Sequence, residues 1–203
     1  MSGHERTKEQ LIAAAIDIFD ERGFHRSRVS DIVAKAGVAQ GTFYIYFKSK
    51  EDIFLTICLE FITLFSSALE NAKELFAGIS YAQVRQNVLR FNRELIELYC
   101  THKKAARILF REGASRSGQV KPVYDRIYTQ FIETVGKRLE EHQGRGYVAF
   151  EDAETEATFL IGMFDRSLFY FIDVKQNFDI EALSHRMTDF MMGGLTKCGP
   201  DGR

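Results

Sequence analysis

Apolar residues recur three and four positions apart along almost the whole chain, and no alternating pattern persists long enough to argue for a strand. The spacing predicts an all-α protein. A first helix is expected over 7–22, with Leu11, Ala14, Ala15, Ile18 and Phe19 on one face and Gly23 as its stop. Two short helices follow, over 28–36 and 40–47, separated by Gly37-Val38-Ala39. From residue 50 the helices lengthen, over about 50–76, 81–101, 103–112, 120–142, 152–176 and 179–197. Gly78, the GASRSG run at 113–118, Gly144 to Gly146 and Asn177 mark the breaks, and Pro122 fits a helical first turn. The change in helix length near residue 50 divides the chain into a three-helix module over 1–50 and a larger helical bundle over 51–203.

Composition narrows the class. The 203 residues are 45% hydrophobic and 27% charged, which excludes a disordered chain, a collagen-like repeat and a disulfide scaffold. Three widely spaced cysteines, Cys58, Cys100 and Cys198, give neither a disulfide framework nor a metal-binding pair, so a reducing cytoplasm is expected. The polar start MSGHERTKEQ lacks a signal-peptide core. The apolar stretch from Phe159 to Val174 is interrupted by Asp165, Arg166 and Asp173, so no membrane partner is expected.

The 27 Lys and Arg nearly balance the 28 Asp and Glu, for a net charge of -1. That total argues against nucleic acid until the charges are placed. Residues 22–50 hold Arg22, Arg26, Arg28, Lys35, Lys48 and Lys50 against the single acid Asp31. This segment therefore carries +5 and the rest of the chain -6, the footprint of a phosphate binder or of a solvated basic face.

The geometry favours the first reading. Two short helices around Gly37 make a helix-turn-helix, fixed by Val29, Ile32, Val33, Ala36, Val38 and Phe43, with the first helix packed across them. Phe43 and Phe47, four apart, read as core. Gln40, Thr42, Tyr44 and Tyr46 are left for contact, and Gly41 lets another surface approach the backbone closely. Glutamine pairs with adenine in the major groove, and Thr or Tyr can meet a thymine methyl or a phosphate.

The stretch GFHRSRVSDIVAKAGVAQGTFYIYFKSKEDIF, residues 23–54, resembles the DNA-binding domain of the TetR family of transcriptional regulators. The most specific part is AGVAQGTFYIYFKSKED: turn, recognition helix, aromatic end and entry to the next helix. The resemblance implies phosphate contacts from Ser27 and Arg28, with Ser30 reaching a base or phosphate. It places Gln40, Gly41, Thr42 and Tyr44 on the recognition surface and has Tyr46, Lys48 and Lys50 grip the backbone. Val33 stands where relatives often carry Ala. Ala39 stands where Ser or Thr often caps the recognition helix, an interaction worth about 1 kcal/mol.

The helix expected over 152–176 is apolar nearly all round and must be covered on every side. The last helix carries a narrower apolar stripe and Gly193-Gly194. Two such helices from each of two copies would form a four-helix homodimer interface, which is also where the TetR family dimerises. Its expected members are Phe159, Met163, Phe169 and Tyr170, then Leu183, Met187, Phe190 and Met191. A two-fold axis would set two recognition helices roughly 34–36 Å apart, matched to a palindromic double-stranded DNA operator.

Eighteen phenylalanines suggest an aromatic interior. Phe65, Phe91, Tyr99 and Phe110, with Tyr124, Tyr128, Phe131 and Phe164, are candidates for a lipophilic effector pocket, or are ordinary core. Arg107, Arg111 and Glu112 either hold an anionic head group, such as that of an acyl thioester, or form surface ion pairs, the simpler reading. Asp165 and Arg166 are interface or pocket residues whose burial requires pairing.

Catalytic signals are weak. The five histidines are scattered, no HExxH or ExxH occurs, GASRSG lacks a preceding strand, and no glycine-rich phosphate loop is present. Neither an enzyme nor a cofactor is expected. The reading is a DNA-binding regulator, a repressor released by a small lipophilic effector such as an acyl thioester or an aromatic compound. An activator, or a regulator without an inducer, is the alternative within the class; a helical ligand carrier or enzyme is the alternative outside it.

Overall fold

The computed structural model describes residues 3–71, 75–77, 80–113, 121–145 and 148–195. Gly78, Gly118, Gly146, Cys198 and the side chains of Arg111, Glu112 and Tyr124 lie outside the described residues. Those described form nine α-helices and one π-helical segment, with no strand among them. The helices are α1 (Gly3–Arg22), α2 (Val29–Ala36), α3 (Gln40–Tyr46), α4 (Lys50–Asn71), α5 (Tyr81–Thr101), α6 (Lys103–Gly113), α7 (Lys121–Gly144), α8 (Ala153–Leu168) and α9 (Ile180–Leu195). The all-α class is as the apolar spacing required.

The chain divides into two compact units, and the first is discontinuous: Met1–Thr63 together with His102–Ile127. Its core is built from Leu11, Ala15 and Phe19 of α1, Ile32 of α2, Phe43 of α3, and Ile53, Phe54 and Ile57 of α4, with Ala106 and Ile108 of α6 also buried. α4 is long and apolar enough to cross a membrane by length and composition. Its first half buries Ile53, Phe54, Ile57, Cys58 and Phe61.

α1 begins a turn before the expected Thr7, because the Thr7 hydroxyl donates back to Gly3 O at 3.0 Å rather than capping a start. It ends at Gly23, whose φ of 79° lets its N–H reach Phe19 O at 2.9 Å. Acidic residues of α1 bind helices on two sides. Asp17 accepts from Lys104 of α6 at 2.6 Å and meets Lys35 of α2 at 3.3 Å. Asp20 takes a two-pronged contact from Arg107 of α6, with Nε donating to Oδ1 at 2.9 Å. Arg107 is thus in an ion pair, as the simpler sequence reading had it.

The second unit holds Leu64–Thr101 and Tyr128–Arg203. Its apolar cluster gathers Phe76, Val88, Phe91 and Leu95 with Leu139, Val148, Ile161 and Met192. α5 and α9 pack together through Arg85–Asp189 (2.8 Å), Arg93–Glu181 (3.2 Å) and the buried pair Asn92–Thr188 (2.9 Å).

The helix expected over 152–176 starts at an Asp152 cap, whose carboxylate accepts from Thr155 N at 2.8 Å. It changes form at Phe169. Residues Phe169–Lys175 wind as a π-helix, closed where Gln176 N donates to Phe171 O and Gln176 adopts φ 56°. Within this segment Asp173 meets the buried Tyr99, whose hydroxyl donates to its Oδ2 at 2.8 Å.

Candidate nucleic-acid interface

The turn between α2 and α3 is held by backbone geometry that glycine permits. Gly37 has φ 69° and ψ 30°; its N–H donates to Ala34 O, and Val38 N donates to Val33 O at 3.1 Å. These two bonds close the helix end and bring Val38 against Val33. At the start of α2, the Asp31 carboxylate accepts from Arg28 N at 2.9 Å. Asp31 also meets Arg22 at 3.0 Å, so it ties α1 to α2.

α3 has seven residues, too few to persist alone in water. Ala39 at its N-cap makes no side-chain bond, as the sequence predicts. Its stability comes from Phe43 and Phe47, both buried, whose rings meet at 5.7 Å and contribute roughly 1.5–3 kcal/mol each. With those two pointing inward, helical geometry turns Gly41, Thr42 and Ile45 outward, flanked by Tyr44 and Tyr46. Gln40, Gly41 and Tyr44 are exposed and Thr42 and Tyr46 half-buried. A Cβ added to Gly41 would meet nothing within 4 Å, so internal packing does not demand glycine there.

The expected phosphate-gripping residues divide. Arg28, Ser30 and Lys48 expose their side chains. Ser27 is only 3% exposed; its hydroxyl donates to Gly23 O at 2.6 Å and lies 3.4 Å from Ile18 O. The structure therefore corrects its expected role: the hydroxyl fastens the α1–α2 loop and does not reach the surface. Lys50 is half-buried, with Nζ donating to Phe24 O (2.7 Å) and Ser27 O (2.9 Å) above the Phe24 ring. Two of its three donors are spent inside, leaving at most one for a phosphate. Lys35 and Arg22 likewise face acids of the module.

Two residues were missed. His4 packs its ring against Tyr46 with centroids 4.4 Å apart, steadying that phenol from α1. Ile45 is 70% exposed in the middle of the outward ridge. The i, i+4 spacing of Phe43 and Phe47 turns it outward.

In the second unit, Phe65, Phe91, Tyr128, Phe131 and Phe164 come together in or against one apolar cluster. Tyr99 is buried with its hydroxyl on Asp173. Phe110 belongs to the first unit, where its ring meets Phe61 edge-on at 6.4 Å. Burial holds the Asp165 carboxyl above its usual range, against a smaller opposing pull from Arg166, 3.9 Å away. Burial and the nearby Asp165 charge also raise the Tyr128 hydroxyl.

The expected interface residues also divide. Phe159, Tyr170 and Phe190 are exposed, and Met163 and Phe169 half-buried. Leu183, Met187 and Met191 are a correction: they are buried inside their own unit, because this i, i+4, i+8 stripe forms the inward side of α9. The outward side presents Arg186, Phe190, Gly193 and Gly194.

Comparison with known proteins agrees with the helix-turn-helix. The family model for bacterial regulatory proteins of the tetR family matches residues 11–57. The HTH-type transcriptional regulator YdgC of Bacillus subtilis (strain 168) is 30% identical over 203 residues, covering 97% of this chain and 96% of the relative. The fatty acid metabolism regulator protein of the same organism is 26% identical over 211 residues, covering 92% and 94%. The crystal structure of the transcriptional regulator FadR from Bacillus subtilis in complex with stearoyl-CoA superposes with a TM-score of 0.75 at 24% identity, covering 92% and 98%. With a relative of that identity aligned along nearly all of both sequences, the chain belongs to the TetR family of bacterial regulatory proteins.

Proposed function

We propose that this TetR-family regulator acts as a homodimeric repressor, reading a palindromic operator through α3 and releasing it when a lipophilic effector binds the second unit. The observation that carries the DNA-reading part is the α3 ridge. A helix anchored by Phe43 and Phe47 turns Gly41 and Thr42 outward beside the exposed Gln40 and Tyr44, within a segment of charge +5. Arg28, Ser30 and Lys48 supply exposed polar groups for phosphates; Tyr46 lends its hydroxyl, and Lys50 its remaining donor.

The effector class is supported by the gathering of Phe65, Phe91, Tyr128, Phe131 and Phe164 around one apolar cluster. Similarity to a fatty acid metabolism regulator, and to a fold that holds stearoyl-CoA in a relative, favours a long acyl chain. Dimerisation through α8 and α9 is supported by Phe159, Tyr170 and Phe190, large rings left in solvent by a single copy.

Footprinting on the DNA flanking its own gene tests the reading. A protected dyad is expected, with affinity falling about 10³–10⁵-fold between roughly 50 and 200 mM salt if six to ten phosphates are engaged. Stearoyl-CoA is expected to release the complex, and a promoter fusion to rise on deletion of the regulator. Absence of any protected dyad at low salt overturns the operator reading, and indifference to acyl thioesters overturns the effector class.

A further inference from the structure

Ile45 is as exposed as any large apolar side chain described here, at 70%, a value matched by Phe190. Neither packing nor helix propensity accounts for it: it faces away from Phe43 and Phe47, and β-branched residues are mediocre helix formers. Gly41 lies one turn before it on the same side, with open space where a Cβ would stand. Tyr44 and Tyr46 flank it. The outward ridge of α3 is therefore bare backbone followed by an aliphatic knob between two phenols.

An aliphatic side chain has no donor or acceptor, so it is blind to the hydrogen-bonding edges of the bases. The 5-methyl group of thymine is the aliphatic feature that the major groove displays. We infer that Ile45 is a specificity-determining residue that reads a thymine 5-methyl in each operator half-site, with Gly41 letting the ridge sink far enough for contact. The inference rests on α3 being the DNA-reading surface and adds to it the base type read at one position.

Replacing thymine by deoxyuridine removes this methyl and leaves the base-pairing edge and the O4 acceptor intact. A duplex selected from random DNA by the full-length protein is resynthesised with deoxyuridine at each thymine in turn, and affinity is read by fluorescence anisotropy. At one symmetry-related pair of positions the wild type is expected to lose about fourfold per half-site, the worth of one buried methyl, and about 15-fold for both. Ile45→Ala should bind the thymine duplex more weakly by a similar factor and bind both duplexes alike. Tyr44→Phe should keep the thymine-to-deoxyuridine difference. Equal wild-type affinity for every substituted duplex, or an Ile45→Ala variant that still discriminates, overturns the assignment of Ile45 alone. Failure to select any duplex overturns the DNA-reading proposal and this one with it.

Discussion

The α3 ridge and the outer sides of α8 and α9 both leave large apolar side chains in solvent, yet their surroundings differ. On α3 a single isoleucine sits between hydroxyl-bearing rings and a bare glycine, on a module rich in cations. On α8 and α9 whole aromatic rings stand out, Phe159 and Phe190 among them, accompanied by Arg166, Arg186 and two glycines. The first arrangement offers little apolar area and many polar contacts, as a wet, charged nucleic-acid surface requires. The second offers broad aromatic area, as protein interfaces do. Both surfaces expose apolar side chains, and the groups beside those side chains are what differ.

The contrast is most directly broken at Phe190. The double substitution Phe159→Asp and Phe190→Asp should halve the mass measured by light scattering. It should also weaken operator binding about 10²–10⁴-fold, because the second half-site no longer benefits from effective concentration. A dimer that persists places the interface elsewhere. A smaller effect, with two opposite signs, is expected at Gly41. Gly41→Ala should raise unfolding stability by roughly 0.5–1 kcal/mol in urea titrations, since alanine suits a helix and has room. The same change should weaken operator binding by holding the ridge off the groove. Stronger binding would show that the backbone makes no close approach.

The finest test separates two aspartates. In the first unit, the hydrogen bond from Lys104 holds the Asp17 carboxyl below its ordinary 3.8. Its stabilisation is present above 3.8 and lost as pH falls through the lower native value. In the second unit, burial raises Asp165 above 3.8, so its charged form burdens the fold at neutral pH, and the burden lifts as pH falls through the raised native value. Asp17→Asn should therefore lower the Tm at pH 7, and Asp165→Asn should raise it. Both differences should shrink on acidification, Asp165's above 3.8 and Asp17's below it. Shifts of the same sign at pH 7 would contradict the difference in environment.

Local features of the helix-turn-helix could be read in advance because they are written in adjacent residues. Gly23 and Gly37 mark left-handed stops, and Phe43 and Phe47 set the inward side of α3. Ser27 and Lys50 misled because their partners are backbone carbonyls, which leave no trace in the side-chain pattern. The Leu183, Met187 and Met191 stripe misled differently: an apolar stripe looks the same whether its partner is the chain's own core or a second copy. The π-helical segment keeps the composition of the helix before it, so no change of pattern announced it. The Asp20–Arg107 contact joins residues 87 apart, and only the folded path brings them together.

That contact has a practical consequence for modular exchange. The first unit is sewn from two stretches of sequence, and α6 supplies the cations that meet Asp17 and Asp20. A chimera that transplants only the first 63 residues onto a foreign bundle would keep the Asp17–Lys35 pair but lose the Lys104 and Arg107 contacts. Carrying residues 102–113 along with the graft, or recreating Lys104 and Arg107 in the host, is the rule this architecture sets for rewiring the regulator to new operators.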